Sequence, residues 1–438
     1  MTDTSPGWRF FIDRGGTFTD VVAIAPSGQV HVQKLLSEAP GQYDDAALEA
    51  IRRATTDISE ASTAAIESVR MGTTVATNAL LERKGEPVVL ITTAGFEDGL
   101  WLGDQTRPDL FALEVRRPPP LYTRVLSAHE RVDATGQVLM PLGDLDTLRA
   151  QLETAHTDGF RACAIACMHS TLNSSHEQVL TDLALRCGFT TVVASHTVSR
   201  LPKYVPRGQT AIADAYLTPG LRRYIDRVDA GLSGAPLYFM QSHGGLARAD
   251  SFYGRDAILS GPAGGVVGTA HAGEAAGRTH LIGFDMGGTS TDVCHVAGAL
   301  ETTVDTEVAG IRIRTPMLDI HTVAAGGGSI LHVQHGRFVV GPESAGADPG
   351  PACYGKGGPL AVTDCNAVLG RLVPERFPQV FGPDGKAPLS PAASRAAFQA
   401  LLEGAGLAAD KGAIEHAAMG FLDVAVETMA RAIRVIST

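Results

Sequence analysis

Several things are scarce in this chain of 438 residues, and each scarcity closes off a class of function. It has six cysteines and no C-x-x-C pair, too few for a disulfide framework in a chain this long. No stretch approaches the roughly 18 consecutive apolar residues of a membrane span. The opening "MTDTSPGW" has neither a basic nor an apolar leader region, so a cytoplasmic, reduced protein is expected. Basic residues never run beyond pairs such as Arg83-Lys84, Arg116-Arg117 and Arg222-Arg223, and the net charge is −11, which argues against nucleic acid and anionic membranes as partners. Small anions would have to be held by local dipoles.

What is abundant is apolar residues, 44% of the chain, and glycine, 49 residues. The length predicts two or more globular units. Residues 8 to 36 read as a three-strand antiparallel meander, broken at Gly15-Gly16 and at Pro26-Ser27-Gly28. Strands and helices alternate afterwards: a helix near 43 to 56, the strand "ESVRMGTT", a helix "VATNALLERKG" with Gly85 as its C-cap, and the strand "PVVLITTAGF". A further helix near 174 to 187 stops at Gly188, and a long one over 209 to 231 contains Pro219. "CAIACMHS" offers Cys163, Cys167 and His169 as metal ligands, but no second ligand pair accompanies them and the segment also reads as a buried strand.

The informative feature is a repeat. "FIDRGGTFTD" at 11 to 20 returns as "GFDMGGTSTD" at 283 to 292, with aspartate, two glycines, two threonines and aspartate in the same order and spacing. A Gly-Gly turn between two strands leaves N–H groups bare at its tip and lets an anion approach the main chain. Thr17, Thr19, Thr289 and Thr291 add hydroxyl donors, while Asp13 and Asp285 can hold a divalent cation directly or through water. A single copy reads equally well as a hairpin capped by its own side chains. Two copies, each opening one half of the chain, predict a phosphate clamp that closes from both sides of a cleft.

Other segments have weaker signals. Gly72-Thr73-Thr74 stands at a strand-to-helix junction, where free N–H groups favour an anion or where threonine simply caps the helix; in the first case Thr73, Thr74 and Asn78 face the cleft. The glycines of "SGPAGGVVG" (260 to 268) read first as close packing. Gly326, Gly327 and Gly328 in "AAGGGS" either wrap a ligand oxygen or form a turn, with the ligand role preferred.

The paired loops resemble those of the two-lobed α/β superfold shared by actin, heat-shock chaperones and sugar kinases. The wider wording, "IDRGGTFTDVVA", "RMGTTVATNALLERKGE", "PRGQTAIADAYLTP", "LSGPAGGVVG", "GFDMGGTSTDV" and "VVGPESAGADPGPACYGKGGPLAVTD", is similar to the hydantoinase A and oxoprolinase family across essentially the whole chain. That resemblance implies ATP and Mg²⁺ as cofactors and a small cyclic amide as substrate, foremost 5-oxoproline opened to glutamate in glutathione metabolism. An N-methylhydantoin or a ketone substrate, or a non-catalytic nucleotide module, are the alternatives.

It further implies catalytic roles for Asp13, Asp285 and Asp214, the last on the helix behind the nucleotide cleft. Arg207 would neutralise a substrate carboxylate or stand as an ordinary surface charge, and a hydantoinase B-like region or subunit would be a partner in a homo-oligomer. A first lobe over 1–205 and a second over 206–438 are expected. The chain is also expected to stop before the adenosine-binding glycine motif and so to turn over little nucleotide alone.

Overall fold

A computed structural model describes residues 7–39, 41–57, 65–104, 111 and 118–437. The first six residues of the stretch read for a leader, the Arg116-Arg117 pair and Thr438 lie outside them.

The meander is present as Trp8–Arg14, Phe18–Ile24 and Val30–Leu36, antiparallel throughout. Side chains alternate across a strand, so Trp8, Phe10 and Ile12 enter the core while Phe11 and Asp13 look the other way. After the helix Ala46–Asp57 the chain returns as Ile66–Thr73, parallel to Trp8–Arg14. Leu237–Met240 adds in parallel on the far side of Ile66–Thr73, and Leu246–Arg248 ends the six-stranded sheet. The sheet that carries the first Gly-Gly loop thus draws on chain from both sides of the expected division at 205/206.

A second sheet is wholly parallel, in the order Thr191–Ala194, Ala162–Ala166, Val88–Thr93, Tyr122–Ala128. Its two inner strands, Ala162–Ala166 and Val88–Thr93, are buried at every position, as expected for strands covered on both faces. The helix Ser175–Arg186 ends before Gly188, whose φ of 94° takes the left-handed turn. The helix Val75–Leu81 is shorter than predicted, and Arg83, not Gly85, takes the left-handed conformation after it. Gly85 has a different reason to be glycine: a Cβ there would lie 2.2 Å from the Tyr216 ring.

Tyr204–Gly231 forms a single long helix, with Pro219 inside it, that packs on the parallel sheet and against the helices Ala46–Asp57 and Val75–Leu81 of the first. The repeated motif forms a second hairpin, His280–Met286 with Thr291–Ala297, extended by His321–Val323. Between the two hairpins lies the helix Ser260–Ala275, and the helix Lys411–Ser437 packs on the later strands around a core with Phe398 and Phe421.

Candidate functional site

The two Gly-Gly turns close in the same way. Gly15 N–H donates to the Phe18 carbonyl at 3.0 Å, and Gly287 N–H to that of Ser290 at 2.9 Å. Asp13 pairs across its hairpin with Asp20, and Asp285 with Asp292. Folding brings the turns into contact, because a Cβ on Gly288 would lie 2.7 Å from the Thr17 hydroxyl.

The helix Ser260–Ala275 spans the two aspartates. A Cβ on Gly261 would lie 3.5 Å from an Asp13 carboxyl oxygen, and one on Gly265, a turn later, 3.7 Å from Asp285. Gly72 backs Asp13 from the neighbouring strand, where a Cβ would crowd an Asp13 carboxyl oxygen at 3.1 Å. The glycines of this helix therefore bring backbone close to both carboxylates, a more specific role than the general packing expected of them. Beside Asp285 a cavity of about 240 Å³ is lined by Pro262, Gly265, Thr269, Phe284 and Asp292.

Crowded carboxylates resist ionisation. Desolvation raises Asp13 above the usual aspartate range, helped by Asp285 and Asp20 and opposed by Lys34. Asp292 is pushed up to about 6, chiefly by burial and further by Asp285 and Asp13, against a lowering hydrogen bond from the Thr322 hydroxyl. Asp292 is thus a member of the site that the motif contained but that its spacing alone did not single out. Among the described residues no three His, Cys, Asp or Glu side chains converge to cage a metal ion.

The threonines divide by role. Thr19 is fully buried and shares a hydrogen bond with Ser37, whose hydroxyl donates to the Gly15 carbonyl at 2.7 Å. The Thr291 hydroxyl donates to the Ala325 carbonyl at 2.6 Å. Both brace their loops, which leaves Thr17 and Thr289 with hydroxyls unclaimed by the described residues. Gly326, Gly327 and Gly328 are likewise committed: their N–H groups go to the Ser329 hydroxyl and to the carbonyls of Gly287 and Gly288. A Cβ on Gly326 would lie 2.8 Å from the Gly287 oxygen, so these glycines seat a brace against the second loop. Of the two expected roles, ligand wrap and turn, these hydrogen bonds describe the turn.

Thr73, Thr74 and Asn78 do reach the first loop. Thr74 N–H and hydroxyl both donate to the Arg14 carbonyl, and Asn78 Nδ2 lies 3.4 Å from where a Gly16 Cβ would be. Thr73 is fully buried, with its hydroxyl accepting Val75 N–H and its own N–H donated to Ser260. Of the three, Asn78 is best placed to meet a ligand.

Two of the expected site residues have partners inside the fold. Arg207, expected to meet a substrate carboxylate, is 2% exposed. Its guanidinium donates to Ser170, Ser195 and the Cys167 carbonyl and pairs with Glu177 at 3.4 Å. Burial alone would raise the Glu177 carboxyl, but His196, Ser195, the Cys167 N–H and Arg207 together hold it below its ordinary value. Asp214, expected at the cleft, is 1% exposed and takes Arg255 through both backbone N–H and guanidinium. It anchors the segment that leads into the helix Ser260–Ala275. Sequence gave no sign of either partner, since Glu177 and Arg255 are far from them along the chain. Cys163 and Cys167 sit in the buried strand and its end, with desolvation raising both thiols, and gather no metal set.

Residues 9–188 match the hydantoinase/oxoprolinase N-terminal region and residues 207–438 match hydantoinase/oxoprolinase. 5-Oxoprolinase 1 of Arabidopsis thaliana is 45% identical over 97% of this chain and 37% of its own. 5-Oxoprolinase of Saccharomyces cerevisiae is 43% identical over 98% and 37%. The caprolactamase alpha subunit of Pseudomonas jessenii is 34% identical over 83% of this chain and 55% of its own. Two solved structures share the fold: nucleotide-free acetone carboxylase, with a TM-score of 0.81 at 26% identity over 98% of this chain and 62% of its own, and the ATP-dependent caprolactamase of Pseudomonas jessenii, 0.73 at 32% over 98% and 63%. The chain therefore spans little more than a third of the curated 5-oxoprolinases it matches.

Proposed function

This chain belongs to the hydantoinase/oxoprolinase family, and from that premise we propose that it is the ATP-handling part of a cyclic-amide hydrolase that opens 5-oxoproline to glutamate. The observation that carries the reading is the contact of the two Asp-x-Gly-Gly-Thr loops through Thr17 and Gly288, with the helix Ser260–Ala275 lying against both Asp13 and Asp285.

A five-membered lactam is a poor electrophile. Bound ATP would supply a phosphoryl group to the lactam oxygen; one water would then add to that carbon, the ring C–N bond would break with the nitrogen leaving as the amine, and a second water would release phosphate from the resulting acyl phosphate to leave the carboxylate. Such a transfer asks the protein chiefly for positioning and charge neutralisation. The N–H groups of Gly16 and Gly288 would hold phosphate oxygens, those of Gly15 and Gly287 being spent on closing their turns, and the free hydroxyls of Thr17 and Thr289 would add donors. Thr19, Thr291 and Gly326 to Gly328 keep both loops in shape.

Mg²⁺ fits this donor set as an ion held partly through water, since two carboxylates and a phosphate suffice for it and no full protein cage is needed. The carboxylates of Asp13, Asp285 and Asp292 repel one another, and a cation between them would relieve that repulsion. Asn78, beside Gly16, would orient the lactam or the transferred group. We place the reaction in the cytoplasm within glutathione metabolism, consistent with six unpaired cysteines. We also place it in a homo-oligomer that works with a hydantoinase B-like region.

The fold likeness to acetone carboxylase and caprolactamase supports a second reading, ATP-dependent activation of another carbonyl compound. The test is ATP consumption by this chain together with the remaining family region, offered 5-oxoproline, N-methylhydantoin, caprolactam or acetone in turn. Stimulation by 5-oxoproline alone is expected; none by 5-oxoproline rejects the first reading.

A further inference from the structure

The two loops share aspartate, glycine, glycine and threonine and differ at one position among them. Arg14 stands between Asp13 and Gly15, and Met286 between Asp285 and Gly287. Whatever the loops do alike, such as holding phosphate oxygens, does not require a cation there. Arg14 therefore serves something that only the first loop meets.

Its surroundings offer it no anion. The Arg14 guanidinium lies over the ring of Tyr224, on the long helix, 5.0 Å from the centroid. Among the described residues its side chain makes no hydrogen bond or ion pair, and its Nε is buried without a partner. The hydroxyl of Tyr224, a residue only 6% exposed, is equally unpartnered, and burial pushes it well above the usual phenol range, so it remains a donor. Strand alternation turns Asp13 the other way. Asp45, whose charge acts on the Tyr224 hydroxyl, accepts the N–H groups of Ala47 and Leu48 at the start of its own helix. Buried donors without acceptors are uncommon and costly, and a cation among them more so.

The position decides which anion would satisfy them. The Arg14 carbonyl takes both the N–H and the hydroxyl of Thr74, which fixes the backbone beneath the side chain. Asn78, the side chain proposed to orient the lactam, lies beside Gly16 on the helix Val75–Leu81, and that helix packs on the long helix that carries Tyr224. The first loop thus touches two helices that are in contact with each other. A guanidinium stacked on a ring keeps its in-plane N–H groups free, and their fork matches a carboxylate.

Resting on the reading of this chain as the ATP-handling part of a 5-oxoproline hydrolase, we propose that Arg14, assisted by the Tyr224 hydroxyl, binds the carboxylate that 5-oxoproline bears next to its ring nitrogen and so selects carboxylated lactams. Arg207 is not free for this task, being held by Glu177, Ser170 and Ser195. A lactam without a carboxylate, such as 2-pyrrolidone, leaves both donors as unpartnered as before.

The test is calorimetric titration of this chain together with the remaining family region, first with a non-hydrolysable ATP analogue and then with 5-oxoproline or 2-pyrrolidone. Wild type is expected to bind 5-oxoproline at least roughly tenfold more tightly than 2-pyrrolidone. Arg14→Met, which copies the second loop, is expected to erase that preference through a loss of roughly tenfold to a hundredfold for 5-oxoproline, with the analogue bound as before, which shows that the variant still folds. Arg14→Lys should recover part of the loss, and Tyr224→Phe should lose less. A wild type without the preference, or an Arg14→Met variant that keeps it, overturns the proposal. So does an equal loss for both lactams, which would make Arg14 structural, or a loss for the analogue, which would make phosphate its anion. Arg14-dependent binding without stimulated ATP consumption would count against the catalytic reading alone, and stimulated consumption without that dependence against this one alone.

Discussion

Thr17 and Gly288 are neighbours across the cleft: the hydroxyl of one occupies the space in which a side chain on the other would begin, 2.7 Å from an ideal Cβ. Gly288→Ala therefore has to push the two loops apart. It is expected to reduce ATP-driven turnover by at least about tenfold, because oxygen donors act only within a narrow distance of the charge they stabilise. Gly268→Ala is the matched control, since nothing lies within 4 Å of its Cβ position on an exposed helical turn. It should stabilise the fold by about 0.5–1 kcal/mol, read by chemical denaturation, and leave turnover alone.

Asp13→Asn and Asp285→Asn, each made in a form of the enzyme that turns over, should lower kcat by about 10²-fold or more while nucleotide affinity falls far less. A non-catalytic nucleotide module would lose binding instead, and equal turnover in both variants would remove these residues from the site.

Arg207 is expected to matter to stability and not to substrate affinity. Arg207→Met leaves Glu177 buried without the arginine paired to it at 3.4 Å, a loss of about 3–5 kcal/mol by analogy with other broken buried pairs. Thermal and chemical unfolding measure it. A raised KM for 5-oxoproline at unchanged stability would restore the substrate role.

Asp292 makes stability depend on pH in a definite direction. Its carboxyl ionises near 3.8 in the unfolded chain and near 6 in the folded one, so the folded state binds the extra proton between those values. Stability from this group is full below about 4 and is lost as pH rises through about 6. Melting temperature should therefore fall over that window in the wild type and fall less in Asp292→Asn, with the variant the more stable above pH 6.

The sequence was most legible where structure is local. Alternating apolar residues placed the first meander, Gly188 ended its helix, and the duplicated Asp-x-Gly-Gly-Thr pattern located both hairpins with their register. Which threonines face a ligand was not legible, since Thr17 and Thr19 look alike until Ser37 takes the second. Gly85 read as a helix cap until the Tyr216 ring gave it a different reason to be glycine.

By itself, then, the sequence determined the strands, turns and repeated chemistry, because backbone preference and burial periodicity act over a few residues. Tertiary structure alone decided that the loops touch, that the helix Ser260–Ala275 meets both Asp13 and Asp285, and that Arg207 and Asp214 serve Glu177 and Arg255. Those contacts join segments tens to hundreds of residues apart, and a polar side chain satisfies whichever partner the packing sets beside it.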